Sequence, residues 1–238
     1  MWDFYDKLIN EVPDVGTVDF IHAGETWTMV SAGSYCGIAI TVNEQNQPIG
    51  DYSYLLGKPL KDVAALCKSW DFGQASVGTA ALNAWLNSPE HLKQLDCRDT
   101  TNGFDDYRQK AAGKKVAIIG HFVHLERFLT ESQVYVLERR PKPGDYPDSA
   151  CEYILPEVDY TFITGSAFIN KTLPRLLQLS KNAVVLGPST PMSSVLFAYG
   201  AKELSGFSPD PVMKKNAAAI GRDEVRFKDY GRRICVSV

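Results

Sequence analysis

The first third of the chain alternates short β-rich runs with helical patterns. Apolar residues at helical spacing predict a short opening helix over residues 1–12, which Pro13 ends. Three runs bounded by glycine or polar turn residues predict an antiparallel meander: Thr17–His22, Thr26–Ser31 and Tyr35–Val42. Two helices are predicted next, over Leu60–Trp70 and Phe72–Asn87. This pattern indicates an α+β unit in which helices cover a small sheet.

The helix over Phe72–Asn87 has two contrasting faces. Its apolar face, expected to pack on the meander, consists of Val77, Ala80, Ala81, Ala84 and Trp85. The opposite face carries Ser76, Thr79, Asn83 and Asn87. Periodicity alone favours a solvated surface for that polar face, and the wall of a cleft is the alternative.

A new pattern begins at Lys114. Four unbroken apolar runs end in or just before a glycine or a polar residue: Val116–Gly120, Val134–Leu137, Tyr160–Thr164 and Ala183–Leu186. Helical stretches alternate with them, including Leu173–Leu179 and Ser193–Tyr199. Strands buried on both faces have this appearance, and the alternation predicts a mostly parallel sheet. The fold class is therefore α/β, with a Rossmann-like, doubly wound sheet.

Three further elements are predicted to extend that sheet, in an order that the sequence leaves open: a strand over Ala201–Ser205, a helix over Pro211–Ile220 and a strand over Arg233–Val238. The polar stretch between Ser88 and Gly113 is the natural boundary. We expect an α+β domain over residues 1–100, a linker over 101–113 and the Rossmann-like domain over 114–238.

Composition narrows the classes of function. The 238 residues are 45% hydrophobic and 22% charged, which is ordinary for a folded protein. A net charge of -3 with scattered Lys and Arg argues against a nucleic-acid partner. The acidic first residues and the lack of a long apolar run predict no membrane insertion and a cytoplasmic location. Five widely spaced cysteines without a C-x-x-C pair predict reduced thiols, several of them buried.

Glycines and polar residues cluster where the predicted parallel strands end. In open α/β sheets, ligands bind beyond the carboxyl ends of the strands, where neighbouring connections diverge. Glycine lets the backbone approach a ligand, and N–H and hydroxyl groups recognise it. We therefore expect a small-molecule site there. Its candidate ligand-binding residues are Gly120, Phe122, Thr164, Gly165, Ser166, Gly187, Pro188, Ser189 and Thr190.

Two positions near these ends suggest chemistry. His121 is the candidate for proton transfer. His124 completes an H-x-x-H motif that could begin a metal site, but spacing fixes no third ligand, so we interpret His124 as structural. Glu138 lies 18 positions after Gly120, where nucleotide and S-adenosylmethionine enzymes place an acidic residue on ribose hydroxyls.

The proline-rich loop after Glu138 supplies two more carboxylates. Asp145 and Asp148 are candidates for contacts to a polar ligand or a metal, and we place Asp148 with His121 and Glu138 as the candidate catalytic residues. The hydroxyls at the other strand ends suit recognition rather than nucleophilic attack, because the chain has no G-x-S-x-G elbow. The metal, if any, and the cofactor are left unassigned.

Several separated motifs resemble one protein family in order. V-A-I-I-G-H-F, L-E-R-R-P-K-P-G-D-Y-P-D-S-A, F-I-T-G-S-A-F-I-N-K-T-L, V-V-L-G-P-S-T-P-M and a later L-S-G are similar to the heavy-metal-chelation family of bacteria and archaea, a domain of unknown function. The amino-terminal meander with G-T-A-A-L-N-A-W resembles the partner domain of that family. The resemblance implies an enolase amino-terminal-like domain followed by a Rossmann-like domain.

The resemblance also implies a function. It places a cleft between the two domains, with Asn83 facing the strand-end loops, and suggests condensation or hydrolysis of pterin-, flavin- or siderophore-like molecules that chelate metal. The leading hypothesis is thus an enzyme for a small chelator-like metabolite. A non-catalytic carrier of a metal or metal complex, using His121, Asp145, Asp148 and Cys151, and an S-adenosylmethionine- or nucleotide-dependent transferase are the alternatives. A homo-oligomer remains open.

Overall fold

The chain folds into two sheets joined by helices. The structure is a computed structural model that describes residues 2–43, 49–100, 107–122 and 130–238. The described strands are β1 Phe20–Ala23, β2 Trp27–Ala32, β3 Tyr35–Ile40, β4 Arg98–Asp99, β5 Lys115–Ile119, β6 Gln133–Glu138, β7 Tyr146–Pro147, β8 Tyr160–Thr164, β9 Ala183–Leu186, β10 Ala201–Pro209 and β11 Gly231–Ser237.

Short helices connect the strands. The described α-helices are α1 Asp3–Asn10, α2 Leu60–Ala64, α3 Phe72–Leu86, α4 Pro89–Leu92, α5 Tyr107–Lys110, α6 Cys151–Ile154, α7 Ser166–Ile169, α8 Leu173–Leu179, α9 Val195–Ala198 and α10 Ala217–Gly221. The 3-10 helices are Ser53–Leu55, Ala65–Lys68, Asp148–Ala150, Leu155–Glu157, Pro211–Asn216 and Phe227–Tyr230. None of the helices in the described ranges is long and apolar enough to cross a membrane.

The larger sheet confirms the predicted α/β class. Its eight strands run in the order β4-β11-β10-β9-β8-β5-β6-β7, and the strands from β10 to β7 pair in parallel. Strand β11 is antiparallel to β10 and to β4. The chain runs from β5 to β6 on one side and later returns to place β8 on the other side of β5. This reversal of strand order opens a crevice beyond the ends of β5 and β8.

The smaller sheet is the predicted antiparallel meander, β1-β2-β3. Helix α3 packs on it so closely that a Cβ on Gly37 would lie 2.0 Å from the carbonyl oxygen of Ala80. Asp71 caps the helix by accepting a hydrogen bond from the backbone N–H of Gln74 at 3.1 Å.

Helix α3 is buried on all sides, because every residue from Ala75 to Leu86 is buried. The solvated surface that periodicity favoured for its polar face is therefore wrong. Ser76, Thr79, Asn83 and Asn87 are all fully covered. The meander packs on one side of the helix and the strand-end loops of the larger sheet pack on the other, so the polar face is an internal seam.

Other contacts also cross this seam. The hydroxyl of Tyr5 donates to the carbonyl oxygen of Phe168 at 2.8 Å, and the N–H of Thr26 donates to the carbonyl oxygen of Gly221 at 2.8 Å. Strand β4, which precedes the predicted linker, adds to the edge of the larger sheet. One hydrophobic core includes residues from both parts. The division at residues 101–113 stays a prediction, and residues 101–106 lie outside the described ranges.

A substitution in α3 tests how closely the helix is packed. A Cβ on Gly78 would lie 2.0 Å from the backbone nitrogen of Cys67, whereas a Cβ on Gly73 would meet first the hydroxyl end of the Tyr52 side chain, which can move. We expect Gly78→Ala to lower the free energy of unfolding by about 3 kcal/mol through overpacking. Gly73→Ala should change it by less than about 1 kcal/mol. Urea denaturation measures both, and equal effects would contradict the close packing.

Candidate functional site

A cavity of about 700 Å³ opens beyond the carboxyl ends of β5, β6 and β8. The apolar residues that line it include Ile40, Ile119, Leu137, Ala167, Leu176 and Leu179. The polar and charged residues that line it include His121, Glu138, Arg139, Asp148, Ser149, Glu152, Thr164, Ser166, Asn170, Lys171, Thr172 and Arg175. The cavity therefore lies at the switch in strand order, where the sequence predicted a site.

Gly120 is the point at which the three strand ends meet. Its φ of +94° is a conformation that favours glycine. A Cβ there would lie 3.0 Å from Cγ2 of Thr164 and 4.0 Å from Oε1 of Glu138. A larger residue would push into the space between β6 and β8, so glycine keeps this end of the cavity open.

His121 forms a pair with Asp145 at the cavity. Its Nε2 lies 2.8 Å from Oδ2 of Asp145, which also accepts the backbone N–H of Lys142 at 2.8 Å. That backbone hydrogen bond, together with the imidazole, lowers the pKa of Asp145. Because the ionised carboxylate only accepts, Nε2 carries the proton of this hydrogen bond.

Two pairs of opposite charges lie among the other charged groups of the cavity. Arg175 binds Glu152 through two hydrogen bonds, one of them 2.8 Å from Nε to Oε1. Nε of Arg139 lies 3.7 Å from Oδ2 of Asp148. Oε2 of Glu138 accepts the backbone N–H of Arg139 at 2.9 Å.

Lys171 is an unusual residue of the lining. Its φ of +70° is in the left-handed region that a residue with a side chain rarely adopts. The Nζ atom donates to the carbonyl oxygen of Ile169 and lies 5.5 Å from the centre of the Phe72 ring. The rings of Tyr5 and Trp70 are each 6.0 Å away. Burial lowers the pKa of Lys171 to about 8.

The candidates from the strand end after β9 lie elsewhere. Gly187, Pro188, Ser189 and Thr190 face the seam with the smaller sheet. The hydroxyl of Ser189 accepts the N–H of Ile40 at 2.9 Å, and a Cβ on Gly165 would lie 2.8 Å from the nitrogen of Thr190. Thr190 is fully buried and Ser189 nearly so.

Asn83 lies in the same seam. Its side-chain amide donates to the carbonyl oxygens of Ile38 at 3.2 Å and Pro188 at 3.5 Å, and its Oδ1 has no hydrogen-bond partner among the described residues. Phe122 packs against a hydrophobic cluster that includes Val116 and Ile118 of β5. His124 lies outside the described residues. Of the predicted site residues, the structure brings Gly120, His121, Glu138, Asp148, Thr164 and Ser166 together around the cavity, with Asp145 behind His121.

The described residues do not fit a bound metal ion. No three His, Cys, Asp or Glu side chains in the described part of the chain are grouped closely enough to hold one. Asp145 is engaged by His121 and Asp148 faces Arg139. Burial, with nearby Asp148 and Glu152, raises the pKa of Cys151 to about 11, which keeps its thiol protonated near neutral pH. All five cysteines are free thiols, four of them buried, as predicted.

Seven polar or charged residues of the cavity were not predicted from the sequence: Arg139, Ser149, Glu152, Asn170, Lys171, Thr172 and Arg175. One signal was visible. Asn170, Lys171 and Thr172 form a polar break between the apolar helical stretches of α7 and α8. Oδ1 of Asn170 accepts both the N–H and the hydroxyl of Thr172, so this break is a structured turn.

Asn87 lies in the seam, and we expect it to stabilise the fold. It is fully buried, donates to the carbonyl oxygens of Thr190 and Phe207 at 3.1 Å each, and accepts the N–H of Met192 at 3.1 Å. We expect Asn87→Ala to cost about 2–4 kcal/mol of unfolding free energy, because buried backbone groups lose their partners. Asn182→Ala, which removes one exposed hydrogen bond to Asp159, should cost less than about 1 kcal/mol.

Thermal or urea denaturation distinguishes these two variants. Similar stability of Asn87→Ala and Asn182→Ala would contradict the assignment of Asn87 to the seam.

Comparisons with known proteins identify the family. One family profile, described as "Putative heavy-metal chelation", matches residues 102–226, and a second with the same description matches residues 5–86. An uncharacterised protein of Methanocaldococcus jannaschii is 29% identical over 175 residues, or 68% of this chain. The chain spans 64% of the length of that relative.

Two solved structures of unknown function share the fold. A DUF364 family protein of Desulfitobacterium hafniense has a TM-score of 0.91 and 34% identity, with 100% of this chain and 99% of that one covered. A DUF364 family protein of Pyrococcus horikoshii has a TM-score of 0.79 and 21% identity, with 99% and 98% covered. The chain therefore belongs to the DUF364 family, whose description is "Putative heavy-metal chelation".

Proposed function

We propose that this chain is an enzyme that binds a small heterocyclic or chelator-like metabolite in the strand-end cavity and catalyses a condensation or hydrolysis step on it. The observation that carries the proposal is the convergence of the His121–Asp145 pair and Glu138 on one cavity of about 700 Å³. Pockets for small ligands have volumes of about 300–1,000 Å³ and combine apolar walls with a few placed polar groups.

The lining suits a planar ligand with a polar edge. Ile119, Leu137 and Leu176 offer apolar surface against a ring system, while Glu138 and Thr164 lie at the strand ends. A carboxylate accepts ring N–H or hydroxyl groups, and the nearby hydroxyls both donate and accept. A pterin- or flavin-like metabolite presents this combination of a flat face and an edge of donors and acceptors.

His121 is the proposed proton-transfer group. Asp145 orients the imidazole through its hydrogen bond to Nε2, so Nδ1 can take a proton from water or from an attacking group and return it to the leaving group. In hydrolysis, the oxygen of that water forms a bond to the electrophilic atom of the substrate as the proton moves to Nδ1. The bond from that atom to the leaving group then breaks, and the leaving group takes the proton. Condensation is the reverse sequence. Glu138 and Asp148 are proposed to hold the substrate and to assist this transfer.

The seam residues have a different proposed role. Asn83, with Gly187, Pro188, Ser189 and Thr190, is proposed to fix the position of the strand-end loop and so to support the cavity wall indirectly. Chelation, in this proposal, is a property of the small molecule, since Asp145, Asp148 and Glu152 each already pair with a basic side chain.

The test is to identify the metabolite that co-purifies with the protein by mass spectrometry and then to measure its binding to two variants. We expect Glu138→Gln to weaken binding about tenfold or more, because it removes a charged acceptor from the cavity. Glu157→Gln, on an exposed position outside the lining, should bind as the wild type does. Equal affinity of both variants would remove the proposed site.

An adenosine-type ligand, as in S-adenosylmethionine- or nucleotide-dependent transferases, is a second candidate. Glu138 ends the strand next to β5, close to Gly120, which is where a ribose-binding carboxylate lies in nucleotide-binding sheets. A thermal-shift titration with S-adenosylmethionine and ATP tests it. A ligand at 100 times its Kd should add about 2.7 kcal/mol of stability. A melting temperature unchanged at millimolar ligand would dispose of this candidate.

A further inference from the structure

Lys171 has a setting that the proposed acid–base chemistry does not explain. It lines the cavity, yet no carboxylate among the described residues lies within ion-pair distance of its Nζ. The nearby carboxylates are engaged elsewhere: Glu152 by Arg175 and Asp148 by Arg139. A half-buried lysine usually finds a counter-ion. Among the described residues, the hydrogen-bond partner of this lysine is instead one backbone carbonyl.

The surroundings of the amine are largely aromatic. Phe72, Tyr5 and Trp70 surround Nζ at 5.5–6.0 Å from their ring centres. Among the described residues, the thiol of Cys67, in the 3-10 helix Ala65–Lys68, also lies close enough to influence the charge of the Lys171 amine. The rings shield the amine from water, which disfavours its charged form, although cation–π attraction offsets part of that cost. Burial holds the pKa of Lys171 near 8, so a substantial fraction is neutral at physiological pH.

The backbone conformation of Lys171 is also unusual. Lys171 follows α7 in a left-handed conformation, where glycine would fit without strain. A lysine there is disfavoured, because its Cβ lies close to the following carbonyl oxygen. Strain of this kind is concentrated at functional sites, where surrounding structure holds a side chain in place. Here the turn of Asn170 and Thr172 holds the lysine at the cavity.

We propose that Lys171 is a nucleophile that captures an aldehyde or ketone group of the metabolite as a Schiff base. This inference rests on the proposed function of the cavity and names the substrate class as a carbonyl compound. The amine lone pair forms a C–N bond to the carbonyl carbon, the resulting carbinolamine loses one water, and hydrolysis returns both partners. His121, across the same cavity, can supply and recover the proton that the departing hydroxyl needs.

The test uses glyoxylate and sodium cyanoborohydride with the full-length chain at pH 7. Cyanoborohydride delivers hydride to an imine and leaves a stable carboxymethyl-lysine, which peptide mass spectrometry locates. At this pH, an amine with a pKa near 8 is neutral about 300 times more often than an ordinary lysine. We expect Lys171 to be labelled at least about tenfold faster than the exposed Lys181, allowing for restricted access.

Two variants complete the experiment. Lys171→Arg keeps the positive charge and the aromatic stacking but cannot form the imine, so fast labelling should disappear while the protein stays folded. Lys181→Arg should leave the fast labelling at Lys171 unchanged. Labelling spread evenly over exposed lysines, with Lys171 no faster than Lys181, would overturn the inference.

The two proposals fail in distinguishable ways. If Glu138→Gln weakens binding of the co-purified metabolite but Lys171 is not labelled preferentially, the cavity is the site and Lys171 is not its nucleophile. If Lys171 is labelled rapidly and Glu138→Gln binds the metabolite normally, the amine is reactive but the proposed function of the cavity is wrong.

Discussion

The complete burial of helix α3 is the constraint on which the architecture depends. A helix buried on all sides can carry polar residues only if each finds a partner, and Asn87 finds three in backbone groups of the 190–192 segment and β10. Asn83 similarly holds Ile38 and Pro188. Through these hydrogen bonds, helix α3 connects the smaller sheet to the strand-end loop after β9. Because that loop is packed in the seam, the cavity opens instead beyond β5, β6 and β8.

This arrangement also explains how the amino-terminal part contributes to the cavity. Ile40, the last residue of β3, lines the cavity. The rings of Tyr5, Trp70 and Phe72 surround the amine of Lys171, which also lines the cavity. Hydrogen bonds from Tyr5 to Phe168 and from Ile40 to Ser189 keep these groups in register with the larger sheet. The site thus depends on packing between both parts of the chain.

Local sequence patterns predicted the longer strands and helices but not the two-residue strands β4 and β7. The unbroken apolar runs became β5, β6, β8 and β9, because strands buried on both faces must be apolar throughout. Helical periodicity failed for the polar face of α3, since the period shows which residues share a face but not what packs against it. The hydroxyl of Ser76 and the amide groups of Asn83 and Asn87 instead bond backbone groups outside the helix. The hydroxyl of Thr79 bonds the carbonyl oxygen of Ala75 within it.

The candidate site was predictable to a similar degree. The rule that ligands bind at strand ends led to Gly120, Glu138 and Thr164, and the structure places these three residues at one cavity. The rule could not distinguish the strand ends at the cavity from the strand end after β9, because the difference depends on which loop helix α3 covers. Lys171 was missed because its burial and left-handed backbone arise only in three dimensions. Its sequence neighbours show only a polar turn.

The most direct test of the central claim is a crystal structure of the protein with its co-purified metabolite. The account predicts ligand density in the strand-end cavity, within hydrogen-bonding distance of Glu138 and bounded by Gly120 and Lys171. Density for the metabolite at the seam around Asn83, or in the small surface pocket beside His22 and Asp51, with the strand-end cavity empty, would contradict it.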